Sequence, residues 1–206
     1  MIPVMSSLEI VVEAIGVTAL RLERIRLQHS SYLGLDRSMN WQHAALVIKR
    51  SQGEGGDDLS SLVNVSALLD VTVRDCEISH TAMTGLLVSM SSEVMIERNV
   101  FTDIGYHGIL QNGDQEMENI TVANNYLDGS GITRHWSTNG IFSQGSRNVV
   151  ISNNEVCRTL GGGIMVKSDS MGSDYWTDQA ESEKQRKDKC DVLNAFTLTT
   201  IRVSLL

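Results

Sequence analysis

A chain of 206 residues that is 41% apolar but only 5% aromatic has material for a core of Val, Ile, Leu and small side chains. Its net charge of −8 argues against nucleic acid, because such binding rests on Lys and Arg neutralising phosphates. No stretch approaches the ~20 apolar residues that span a bilayer, so no membrane partner is expected.

The opening segment, MIPVMSSLEIVVEAIGV, lacks a basic start and carries Glu9 and Glu13, so it does not read as a signal peptide. One proline against 17 glycines suits a regular β architecture with many tight corners. Self-similarity carries the organisation. A loose first copy, LRLERIRLQHS…AALVIKR, runs over 20–50. Four clearer copies start at Val71, Val94, Ile120 and Val149. Gly85, Gly108, Gly140 and Gly163 fix their register, at spacings of 23, 32 and 23 residues.

Each copy opens on alternating apolar residues (Val71/Val73, Val94/Ile96, Ile120/Val122, Val149/Ile151), the period of a half-buried strand. A polar corner follows, ending at Cys76, Asn99, Asn125 or Asn154, and two residues later comes Ile78, Phe101, Leu127 or Val156. The glycine then precedes Leu86, Ile109, Ile141 or Ile164. Short strands joined by bends fit this grammar, whereas a leucine-rich repeat would need a helical half that is missing. The expected fold is all-β: a right-handed, single-stranded parallel β-helix of about five coils. Its coils are placed near 17–50, 71–92, 94–119, 120–148 and 149–170, within a domain spanning 1–170. The aligned asparagines should form a ladder between coils about 4.8 Å apart.

After Lys167 the alternation stops. Residues 171–206 read as an irregular tail, a helix or a disordered linker, with a mixed charge cluster in ESEKQRKDKCD, and the final LTTIRVSLL could form a strand. This tail does not look like a cap, so the chain reads as an incomplete solenoid. Cys76, Cys157 and Cys190 lack metal-ligand spacing and are an odd number, so buried or incidental thiols are expected. No metal and no cofactor are implied. Asn64 and Asn119 begin N-x-S/T sequons, which matter only for a secreted protein.

The segments CEISHTAMTGLLV, NVFTDIGYHGILQ and NEVCRTLGGGIMV resemble repeats of the pectate-lyase-like superfamily, most of all those of glycoside hydrolase family 141. The longer segment LDGSGITRHWSTNGI resembles that family's extended coil. The resemblance covers about Leu20 to Lys167. It implies a β-helix handling a polysaccharide or oligosaccharide, and an intact protein that is secreted; oligomeric state stays open.

Two copies are enlarged at one corner, between Leu27 and Ala45 and again after Leu127. Both insertions carry a His and a Trp: Trp41 and His43, then His135 and Trp136. Tryptophan faces stack on sugar rings and imidazoles bond hydroxyls, so all four are candidate substrate-binding residues. Beside this corner runs a polar column of His29, His80, Asp103, Gly129 and Arg158. Thr84, His107, Asn139 and Gly162 stand close to the glycines.

Hydrolysis of a glycoside requires one protonated and one ionised carboxyl group, and Asp103 and Asp128 are the candidate catalytic pair. A separation of ~5–5.5 Å would mean retention and ~6.5–9.5 Å inversion. His80 and His107 could orient Asp103, Arg158 could hold a substrate carboxylate, and Asn139 completes the candidate binding set. A non-catalytic glycan-binding or structural solenoid is the first alternative. The second is a polyuronate lyase or epimerase, disfavoured because GEGGDD (53–58) is acidic but lies in an irregular connection away from this corner.

Overall fold

A computed structural model describes residues 11–15, 18–30, 44–49, 70–132, 138–167, 174–176, 190–193 and 196–198. In chain order the strands are β1 (Val12–Ile15), β2 (Ala19–Glu23), β3 (Arg26–Gln28), β4 (Ala44–Lys49), β5 (Asp70–Arg74) and β6 (Glu77–Thr81). They continue with β7 (Thr84–Ser89), β8 (Ser92–Glu97), β9 (Val100–Ile104), β10 (Ile109–Ala123), β11 (Tyr126–Ser130) and β12 (Asn139–Ser152). The last are β13 (Asn154–Cys157), β14 (Gly162–Lys167), β15 (Asp174–Trp176), β16 (Cys190–Leu193) and β17 (Phe196–Leu198). No helix occurs among the described residues.

From β1 to β14 every pairing is parallel, and the register is the one the repeat predicts. Val71, Val94, Ile120 and Val149 stack on one face. Ile78, Phe101, Leu127 and Val156 stack on the second, and Leu86, Ile109, Ile141 and Ile164 on the third. The loose copy joins the same stack through Leu20, Leu27 and Leu46. β10 and β12 are long because each runs through the corner from the third face into the first. Hydrogen bonding thereby merges those two faces into one 11-stranded sheet beside a 6-stranded one.

Inward residues of all three faces form a single core. Val71, Ile78, Leu86, Phe101, Ile109, Ile120 and Leu127 are fully buried, and each contributes about 1.5–3 kcal/mol by leaving water. The glycine column exists because coils approach closely beside it. A Cβ on Gly108 would sit 2.5 Å from Leu127 Cδ2 and 2.6 Å from the Gly140 carbonyl.

Inside the corner after the first face, the asparagine ladder forms as expected. Asn99 Nδ2 donates to Asn125 Oδ1 at 3.0 Å, and Asn125 Nδ2 to Asn154 Oδ1 at 2.9 Å. Each oxygen also accepts the backbone N–H of the preceding coil, and the other amide hydrogens reach Val73, Ile96 and Val122 carbonyls. Cys76 ends the ladder, its N–H donating to Asn99 Oδ1 at 3.0 Å.

Corners turn on single left-handed residues. Asp75, Arg98, Asn124 and Asn153 have φ of 52–57° at the first corner, and Glu93, Asn119 and Asn148 have φ of 50–58° at the entry to the first face. Asn and Asp reach this region at little cost, which explains their recurrence there.

Three short strands are described within the tail. β15, β16 and β17 pair antiparallel with β14, β13 and β12. Runs of three or four residues are too short to show alternation, and they become strands by pairing with an available edge. The cysteine reading needs correction: Cys76 is a free buried thiol, but Cys157 is disulfide-bonded. Sequence spacing alone does not reveal the bond.

Candidate functional site

The second corner, where the second face gives way to the third, carries the polar column. His29, His80, Asp103, Gly129 and Arg158 occupy one position in successive coils, with φ of 62°, 53°, 53°, 80° and 49°. A left-handed residue there reverses the chain, and the four side chains are exposed in a row. The same conformation favours His, Asp and Gly, so backbone geometry explains part of the composition.

The row is paired along its length. His29 and His80 stack with centroids 5.2 Å apart and planes 13° from parallel. His80 Nδ1 lies 3.2 Å from Asp103 Oδ2. Asp103 leans over Gly129, where an added Cβ would lie 3.6 Å from its Oδ1. Asp128, in register with Thr102, accepts from Tyr126 Oη at 3.2 Å and from both ends of the Arg158 fork. The two carboxylates thus stand on adjoining coils of one corner, either side of Gly129.

Their surroundings differ. The Asp103 side chain is 55% exposed, whereas that of Asp128 is only 14% exposed. Bonding to Asp128 holds the Arg158 guanidinium even further above neutrality than usual. Desolvation, then the Asp128 charge, pushes the Tyr126 phenol above its ordinary range, so it remains a neutral donor. Tyr126 escaped the sequence reading, although its place two residues before Asp128 puts both on one strand face.

His107 and Asn139 lie elsewhere, inside the wall. They are 1% and 5% exposed, and Asn139 N–H donates to His107 Nδ1 at 3.0 Å. The His107 ring stacks on Phe142 at 5.3 Å and tilts against Tyr106 at 4.0 Å. Burial pushes its pKa down to about 4, so it is neutral at pH 7. Neither side chain reaches the exposed row. Trp41, His43, His135, Trp136 and the GEGGDD segment lie outside the described residues. No group of three or more His, Cys, Asp or Glu placed to hold a metal occurs among the described residues.

Parallel coils on three faces, an internal asparagine ladder and corner residues turned outward define a parallel β-solenoid with one chemically dense corner. Residues 61–175, more than half of the chain, match the family described as right handed beta helix region. The chain belongs to the right-handed β-helix family. No curated protein and no solved structure matches it.

Proposed function

We propose that this protein handles a polysaccharide lying along the second corner, with Asp103 and Asp128 as a glycoside hydrolase-like pair. The observation that carries the reading is the corner itself: an exposed imidazole pair, the exposed Asp103 and Arg158, and the half-covered Asp128 between them, on adjoining coils. Sugar hydroxyls are bonded by such planar donors and acceptors, and successive coils about 4.8 Å apart offer them at a repeat a glycan can follow. The likeness of the repeats to glycoside hydrolase family 141 adds to this reading. The Arg158 fork and Tyr126 Oη hold the Asp128 carboxylate in one orientation, which suits it to the base or nucleophile. Asp103 then takes the acid position, with His80 orienting it.

A non-catalytic glycan-binding solenoid is the second reading, favoured by the openness of Asp103. A general acid usually sits in an apolar pocket, and Asp103 is 55% exposed. Incubation of the purified chain with a glycan panel, reading both retention and released sugar, separates the two. A hydrolase releases product, and Asp103→Asn or Asp128→Asn cuts release by a factor on the order of 10²–10⁴. Retention without release, unchanged by either substitution, establishes the binding protein. Absence of both retention and release across the panel refutes the polysaccharide reading.

A further inference from the structure

A parallel β-stack ends in an open row of backbone N–H and C=O groups, ready to pair with any strand it meets. The last coil here offers three such edges, one from each face: the C-terminal part of β12, then β13, then β14. Each is taken by a tail strand running the opposite way. Val149–Ile151 pairs with β17, Asn154–Cys157 with β16, and Met165–Lys167 with β15. The tail thus occupies the place of a following coil while its reversed direction ends the parallel series.

Strands of three or four residues hold poorly on backbone pairing alone. One of the three has more. Cys157, on β13, is disulfide-bonded, and the residue opposite it in the β13–β16 register is Cys190. Cys76 stays a free thiol at the end of the asparagine ladder.

We propose that the strands of 174–198 form a C-terminal cap over all three edges of the solenoid, latched by a Cys157–Cys190 disulfide. The two cysteines are 33 residues apart in sequence, so the bond removes much of the freedom of the detached tail. Such a bond persists in oxidising surroundings. A dithiol reductant opens it: one thiolate attacks a sulfur of the bridge, and the second resolves the mixed disulfide. Two electrons and two protons end on the cysteine thiols, and the reductant leaves as its own disulfide. Release of the latch frees the cap and bares the edges, while the coils further in keep both neighbours.

The test uses the full chain purified without reductant. Thiol counting after denaturation is expected to give one reactive group per chain, and three after reduction, since the chain has three cysteines. Three thiols before reduction would overturn the proposal. Amide exchange is then compared between oxidised protein, dithiol-reduced protein and Cys157→Ser. Loss of the latch should speed exchange at 149–157 and 165–167 on the order of a hundredfold, with 100–104 unchanged. Unchanged exchange at the last coil refutes the latch, and equal acceleration at 100–104 shows a general stabiliser instead. If Cys157→Ser does not fold, reduction of the folded native chain makes the same comparison.

Discussion

Replacing Asn125 by Ala removes the middle rung of the ladder while leaving backbone and core in place. Its side chain makes four hydrogen bonds of 2.9–3.0 Å, to the Asn99 N–H, Asn99 Nδ2, the Ile96 carbonyl and Asn154 Oδ1. At about 1 kcal/mol net per bond, and with buried groups left short of partners, the loss is about 4 kcal/mol. For a chain of this size that corresponds to roughly 8–16 °C in Tm. Urea unfolding followed by circular dichroism, with Asn148→Ala as comparison, measures it. Asn148 makes a similar amide contact to Asn119, at 3.0 Å, but in the open; its loss should cost about 0.5 kcal/mol, plus about 1 kcal/mol for placing Ala at a φ of 50°. Equal small losses for the two variants would refute the claim that the buried ladder holds the first corner.

His107 should make the protein acid-sensitive. The unfolded chain takes up its proton near the ordinary value of 6.5, whereas the folded chain resists until about pH 4. The stabilisation is therefore complete above pH 6.5 and drains away between there and about pH 4, a loss of about 3 kcal/mol. Urea midpoints at pH 7 and pH 4 should fall further in the native chain than in His107→Gln; parallel falls would contradict this. Gly108→Ala, whose Cβ meets Leu127 Cδ2 at 2.5 Å, should cost about 1–3 kcal/mol or prevent folding. Gly129→Ala has room, with nothing nearer than 3.6 Å, and should cost only about 1 kcal/mol for its positive φ; thermal melts rank the pair. Gln111 shares an inward column with Val88 and Ser143, and neither of its amide atoms has a partner among the described residues. Gln111→Met should raise stability by about 1–3 kcal/mol, and a lower urea midpoint would refute that reading.

The stacking order was legible because it rests on apolar alternation, which a linear sequence displays directly. Val71, Val94, Ile120 and Val149 align on the sequence alone, and Asn99, Asn125 and Asn154 with them. Contacts between coils were legible only in outline. His80 and Asp103 are 23 residues apart, and the positive φ that turns both outward is taken up by His, Asp, Gly and Arg in turn, so no single residue type marks it. His107 and Asn139 misled because polar residues near a loop suggest a surface, while these two bond each other inside the wall. The tail strands were hidden for a different reason: their conformation comes from the edge they cover, not from their own residues.

The left-handed corners divide the labour of the chain. The apolar stacks fix how many coils there are and how they align, and they have no say in what the second corner displays. That corner requires only a residue able to adopt positive φ, and in five successive coils it is filled by His, His, Asp, Gly and Arg. A single substitution in this column rewrites one letter of the surface and leaves the interior untouched. The solenoid is therefore a fixed rack with interchangeable labels, each coil free to vary its surface chemistry within the short alphabet its backbone admits.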